Sequence, residues 1–185
     1  MKALIPNHLK RGIKLTLRNI VQSFRYYVIE KRLRGRKKYR PGRVVFVCKG
    51  NVCRSAFAQT RLAMLAGSNT EAVDSCGLEV NQGNFPPAES VRTARGFGCD
   101  LSRRRAKTMG ECDFKNADLI LPMEYSQYRK LIAMFPGKKD RIRLLREYAP
   151  FPFFLFCNID DPYGWGDKVF RKTYRIIDKS IHGLI

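Results

Sequence analysis

The segment Cys48-Lys-Gly-Asn-Val-Cys-Arg-Ser55 gathers the residues that a phosphate-handling nucleophile needs. Gly50 and Asn51 are the types that most readily adopt unusual backbone angles. A loop of successive N–H groups, here Lys49 through Cys53, that feeds a helix N-terminus binds a tetrahedral oxyanion through backbone donors and the helix dipole. Arg54, six residues after Cys48, can close the loop and fork onto two phosphate oxygens. That positive field favours the thiolate of Cys48, its nucleophilic form. The Ser55 hydroxyl is placed to donate a further hydrogen bond to it. A cysteine at a strand end can also be a small buried hydrophobe, but strand, Cys, Gly-Asn, Arg-Ser and helix together favour the nucleophile.

If a thiolate attacks a phosphomonoester, the leaving oxygen needs a proton. His8 and His182 are the only histidines and lie near opposite ends of the chain, so a His base or a His metal site is excluded. Asp160-Asp-Pro-Tyr163 offers a carboxylic acid on a Pro-stiffened loop, with Asp161 biased to an extended conformation by Pro162. Asp-Pro is also a common turn, and at this level both readings stand. The six Cys form no C-x-x-C pair. They read as reduced thiols of a cytoplasmic protein, with no metal and no cofactor expected.

These residues need a frame. Val44 to Val47 is a short β-branched run, as expected of a buried parallel strand. A helix follows from about Cys53 to Leu65, then a weaker strand at Ala72–Ser75 and a helix at Glu89–Phe97. A strand at Leu119–Leu121 precedes a helix carrying Tyr128, Leu131, Ile132 and Phe135. Ile142–Leu145 reads as a fourth strand, and a last helix starts at Asp167 as N-cap. The alternation predicts a three-layer α/β fold, a four-stranded parallel sheet with helices on both faces. The site then lies beyond the carboxyl ends of the strands.

The chain has 185 residues and a net charge of +20. Residues 1–43 hold 14 Lys/Arg against one acid, Glu30, and carry +13 of that charge. Residues 8–33 also carry an apolar stripe at helical spacing: Ile13, Leu17, Ile20, Val21, Phe24, Tyr27 and Val28. Residues 1–42 therefore read as a basic amphipathic extension ending in Pro41-Gly42, and 43–185 as the catalytic domain. The stripe points to an anionic membrane surface or a partner protein met through residues 8–33, peripheral to the inner face of the membrane. A nucleic-acid-binding arm on a weakened core is the alternative, disfavoured because Cys48, Arg54 and Asp161 are all present. No apolar run approaches the ~20 residues of a spanning helix. Since the catalytic loop lies outside the arm, deleting residues 1–40 is expected to spare small-substrate turnover.

Residues 44–56 resemble the signature loop of the low molecular weight protein-tyrosine phosphatases, whose C-x-G-N-x-C-R-S pattern is matched from Cys48 to Ser55. Ser75-Cys-Gly77, Cys99-Asp-Leu-Ser102, Ala117-Asp-Leu-Ile-Leu-Pro-Met123 and Asp161-Pro-Tyr163 are similar to later landmarks of the family, in order. The resemblance implies a phosphocysteine intermediate on Cys48, phosphate binding by Arg54, Asp161 as general acid, and metal-independent hydrolysis. It also implies a protein substrate such as a bacterial tyrosine kinase of polysaccharide export. Cys53 would trap an oxidised Cys48 as a disulfide. Cys76, Cys99, Cys112 and Cys157 read as packing residues.

Two positions depart from the family: Ala56 replaces the usual Pro, and Arg104 stands near a frequent His. Lys49 would face the pocket rim and favour acidic peptides, and Tyr163 and Trp165 would flank the substrate ring. The run Ala149-Pro-Phe-Pro-Phe-Phe-Leu-Phe156 reads as core, with a wall of the aromatic pocket or a partner or membrane patch as the alternatives. A thioredoxin-coupled arsenate reductase shares this kind of loop, but it needs a further Cys relay, and Leu119–Tyr125 contains none.

Overall fold

The computed structural model describes residues 7–30, 42–67, 73–80 and 84–185, with side chains in the first helix from residue 12. Residues 31–41 of the basic extension and Ala72 of the expected second strand lie outside the described residues. Helix α1 spans Asn7–Phe24 and continues as a π-helical turn, Arg25–Glu30. Strand β1 (Val44–Cys48) leads into α2 (Arg54–Ala66), then β2 (Val73–Gly77) and α3 (Ala88–Arg95). Strand β3 (Leu119–Pro122) leads into α4 (Tyr125–Met134), and α5 (Asp167–His182) closes the chain. The last helix is capped by Gly166, one residue before the expected Asp167.

The sheet is parallel with order β2-β1-β3. Val44 pairs with Val73 on one side and Leu119 on the other. All five residues of β1 are buried, which is why the run reads as continuously apolar. Successive side chains of a strand point to opposite faces. Val44, Phe46 and Cys48 accordingly join Phe57 and Leu62 of α2 and Phe170, Tyr174 and Ile177 of α5. Val45 and Val47 join Tyr128 and Leu131 of α4, together with Tyr26. Three layers result. Each such side chain, fully buried, is worth about 1.5–3 kcal/mol.

The sheet has three strands among the described residues, not the expected four. Ile142 makes one isolated parallel bridge to Ile120. Arg143 N–H donates to Ile120 O at 3.0 Å, but the next residue of β3 facing this segment is Pro122, which has no N–H to continue the ladder. The chain then tightens into a 3₁₀ turn, Leu145–Tyr148, alongside an ion pair from Arg143 to Glu147 at i,i+4.

Helix α1 docks with its polar side inward. Asn19, Ser23 and Tyr26 are buried, whereas Leu17, Ile20, Val21 and Phe24 are exposed. Ser23 Oγ accepts Cys157 N–H at 2.9 Å, Asn158 Nδ2 donates to Gln22 Oε1 at 2.7 Å, and Tyr26 donates to Glu147 at 2.6 Å. Hydrogen bonds to one polar row, rather than burial of the apolar stripe, attach this helix to the core.

Candidate active site

Cys48 ends β1, the strand flanked on both sides, and pairs there with Gly77 of β2. The following loop is stitched to the end of β2: Leu78 N–H donates to Cys48 O at 3.0 Å and Glu79 N–H to Lys49 O at 2.8 Å. This approach requires Gly77, since a Cβ there would sit 2.7 Å from Lys49 O. Asn51 takes a left-handed backbone, φ 54°, the conformation its residue type tolerates. Its side chain is a strut. Nδ2 donates to Ser55 Oγ (2.9 Å) and Ser75 Oγ (2.8 Å), and Oδ1 accepts Lys107 N–H (2.8 Å).

The loop aims donors at the sulfur. Asn51 N–H reaches Cys48 Sγ at 3.2 Å, and Ser55 Oγ lies 2.9 Å from it. Because Ser55 Oγ already accepts from Asn51, its own proton is available to Sγ. Helix α2 starts at Arg54 with no side-chain cap, so its first-turn N–H groups remain available to an anion.

Arg54 is 1% exposed. Its Nη1 donates to Glu124 Oε1 at 2.6 Å and to Ile159 O at 2.9 Å, and its Nη2 pairs with Asp161 Oδ2 at 2.9 Å. Burial pulls the guanidinium pKa down, but Cys48, Asp161 and Glu124 outweigh it and raise the net value. Its buried Nε meets no acceptor among the described residues. A buried donor without a partner costs about 1–3 kcal/mol, a cost that an oxygen acceptor bound beside it would offset. Sequence reasoning missed Glu124, although its place just past the end of β3 is where α/β sheets put functional side chains.

The two neighbouring aspartates are sorted by their partners. Asp161 faces Arg54. Asp160 is held by α1: Arg18 Nη2 donates to Oδ1 at 2.6 Å and Asn19 Nδ2 to Oδ2 at 2.9 Å. Helix α1 therefore reaches the loop that carries Asp160 and Asp161. A cleft of ≈ 620 Å³ opens here, lined by Arg18, Asn19, Phe156, Asp161, Tyr163 and Trp165 among others.

Tyr163 and Trp165 line the same cleft. The aromatic run 149–156 is corrected: Phe151 is 74% exposed and Leu155 50%, so most of it is surface, and Phe156 lines the cleft. Its two prolines limit this short run to a single 3₁₀ turn, Phe153–Leu155. Lys49 is exposed and pairs with Glu79 at 3.8 Å. Val52 packs against the core cluster that holds Cys48.

Behind the loop, Arg104 donates to Gln59 Oε1 and to Ser75 Oγ, the second at 3.0 Å. The departure from His thus places a half-buried guanidinium under the Asn51 strut, with its pKa lowered by desolvation. The Cys53 thiol is buried and its pKa is raised, by burial first and then by Cys48 and Asp161. Among the described residues no group of three His, Cys, Asp or Glu is placed to hold a metal ion.

Residues 43–185 match the family model described as low molecular weight phosphotyrosine protein phosphatase. A low molecular weight protein-tyrosine-phosphatase of Streptomyces coelicolor is 28% identical over 152 residues, covering 77% of this chain and 91% of that protein. A low molecular weight phosphotyrosine protein phosphatase of Schizosaccharomyces pombe is 31% identical, covering 74% and 91%. The crystal structure of a low molecular weight protein tyrosine phosphatase from T. tengcongensis is 32% identical with a TM-score of 0.66, covering 77% of this chain and 96% of that one.

Proposed function

This chain belongs to the low molecular weight protein-tyrosine phosphatase family and is a phosphotyrosine hydrolase, and on that premise we propose that Cys48, Arg54 and Asp161 carry its reaction. The thiolate of Cys48 attacks phosphorus as the bond to the tyrosine oxygen breaks. Asp161, entering protonated, gives its proton to the departing phenolate. The phosphate is now esterified to sulfur. Asp161, as carboxylate, takes a proton from a water that attacks phosphorus, and inorganic phosphate and the Cys48 thiolate are released.

The N–H groups from Lys49 to Cys53, with Gly50 and Val52 on either side of the Asn51 strut, cradle the equatorial oxygens. Arg54 follows them through the transition state. Ser55 steadies the sulfur as the leaving group of the second step. Tyr163 packs on the substrate ring. The observation that carries this reading is the buried Arg54 Nε, a donor that meets no acceptor among the described residues, beside a loop whose Asn51 N–H and Ser55 hydroxyl converge on Cys48 Sγ.

The protein substrate is a phosphorylated bacterial tyrosine kinase of polysaccharide export, and the enzyme works in the cytoplasm. The basic surface supports an acidic phosphopeptide as ligand. Residues 43–185 form the catalytic domain and 1–42 its extension. The deciding experiment is steady-state hydrolysis of phosphotyrosine against phosphoserine peptides with EDTA present, for wild type and Cys48→Ser. Phosphotyrosine turnover that survives EDTA and disappears in the variant is expected. More than a few per cent of activity left in Cys48→Ser would overturn the cysteine mechanism.

A further inference from the structure

Helix α1 presents an outward face that the phosphatase reaction does not use. With 3.6 residues per turn, Asn19, Ser23 and Tyr26 form the inward row, and all three are buried. Ile13, Leu17, Ile20, Val21, Phe24 and Val28 fall on the opposite side and are between 43% and 63% exposed. Six large apolar side chains in line are a contiguous patch rather than the scattered singles normal on a surface.

The flank of that patch is cationic. Lys14 and Arg25 are exposed beside it, and Ile13, Leu17 and Val21 share a shallow groove with Lys14, Arg18 and Arg25. No acidic residue occurs before Glu30, and eight more Lys/Arg follow between residues 31 and 43. No described helix is long and apolar enough to cross a membrane. A helix with an apolar face, a basic flank and low overall hydrophobicity lies in the plane of a lipid interface.

We propose that α1 docks the enzyme on an anionic lipid bilayer, with Leu17, Val21 and Phe24 inserted and Lys14 and Arg25 at the headgroups. Charge complementarity selects this occupant. A second copy would set two arms of +13 against each other, which opposes pairing. Because α1 holds the face toward Asp160 and the face toward lipid at once, the cleft opens beside the membrane. The docked enzyme meets phosphotyrosine on segments anchored at that surface.

The test is co-sedimentation of the full-length protein with vesicles of phosphatidylcholine alone and of phosphatidylcholine with phosphatidylserine in equal parts. Binding only to the anionic vesicles is expected, weakening by roughly fivefold for each of Lys14→Gln and Arg25→Gln. Leu17→Asp with Phe24→Asp should lower vesicle affinity at least about tenfold by removing inserted apolar area. Turnover of a small aryl phosphate should stay unchanged, since neither residue touches the cleft. Absence of binding to anionic vesicles overturns the proposal, as does binding that the Leu17→Asp/Phe24→Asp pair leaves intact. Sedimentation equilibrium of the wild type as a dimer that this pair dissociates would assign the face to a second copy instead.

Discussion

Arg18 donates to Asp160 at 2.6 Å across 142 positions of chain, so the acid loop is gripped by a helix outside the 43–185 segment that defines the family. Asn19 grips the other oxygen of the same carboxylate. The next residue is Asp161, paired with Arg54. Arg18 is thus a positioning residue for the proposed acid. Arg18→Ala should lower kcat about tenfold for phosphates with poor leaving groups, the scale expected of a small misplacement. It should change kcat little for activated aryl phosphates, which need no proton. A loss that is the same for both leaving-group classes would mean that the variant damages the fold rather than the acid.

The same geometry separates the two aspartates. Asp161→Asn should cost about 10²–10⁴ in kcat for poor leaving groups, the usual range for a lost general acid. Asp160→Asn keeps Asp161 and one amide oxygen for Arg18, and should cost no more than Arg18→Ala does. A reversed order, read from kcat against leaving-group pKa, would move the acid role to Asp160.

Cys53 sits in the same loop as Cys48, and burial keeps it a neutral thiol. It should therefore resist direct oxidation and serve instead as the proton-bearing partner that condenses with a sulfenic acid on Cys48. Peroxide inactivation of the wild type should be reversed by dithiothreitol. In Cys53→Ser, recovery should be incomplete, with sulfinic acid at Cys48 visible by mass spectrometry. Equal recovery in both proteins would leave Cys53 a packing residue.

Gly77 marks where β2 meets the phosphate loop. An alanine methyl would stand 2.7 Å from Lys49 O and 2.6 Å from Val80 Cγ2. Relief requires the loop to move, so Gly77→Ala should destabilise by about 1–3 kcal/mol, the range for overpacking. It should also weaken inhibition by inorganic phosphate. A variant with normal phosphate affinity and lowered Tm would show that the loop keeps its shape without this approach.

The loop was legible because every element of it lies within eight consecutive residues, and local chemistry can be read locally. The parallel sheet was legible for a similar reason, since β1 is buried on both faces and shows it in composition. What escaped was set by long-range partners. Ile142–Leu145 has strand composition, yet past the Ile120 bridge it faces Pro122 of β3, which has no N–H to donate, and the ladder stops at one bridge. Glu124 and Arg18 reach the site from distant segments, and nothing in their own neighbourhoods announces Arg54 or Asp160. Helix α1 shows the limit of periodicity itself. The stripe was read correctly as apolar, but periodicity does not say which face meets the core, and hydrogen bonds of Gln22, Ser23 and Tyr26 reversed the usual choice.

Several buried acids of the core share one pH signature. The Cys157 thiol, ordinarily near 9, is pushed up to about 11, by burial against the pull of Ser23 and Arg146. Burial also raises Cys53, Tyr26 and Tyr174. In each case the folded state holds its proton more tightly than the unfolded chain. The associated stability is complete below the unfolded pKa and is lost as pH rises through the folded one. For Cys157 alone the window runs from about 9 to about 11, and two pKa units correspond to about 2–3 kcal/mol. The urea midpoint should therefore stay level from about pH 7 to 8.5 and fall steeply toward about pH 10.5. In Cys157→Ala the fall should be shallower, because one fewer proton is released on unfolding. A midpoint that is flat through the alkaline range would mean that these groups ionise in place, with water reaching a core that is here closed to it.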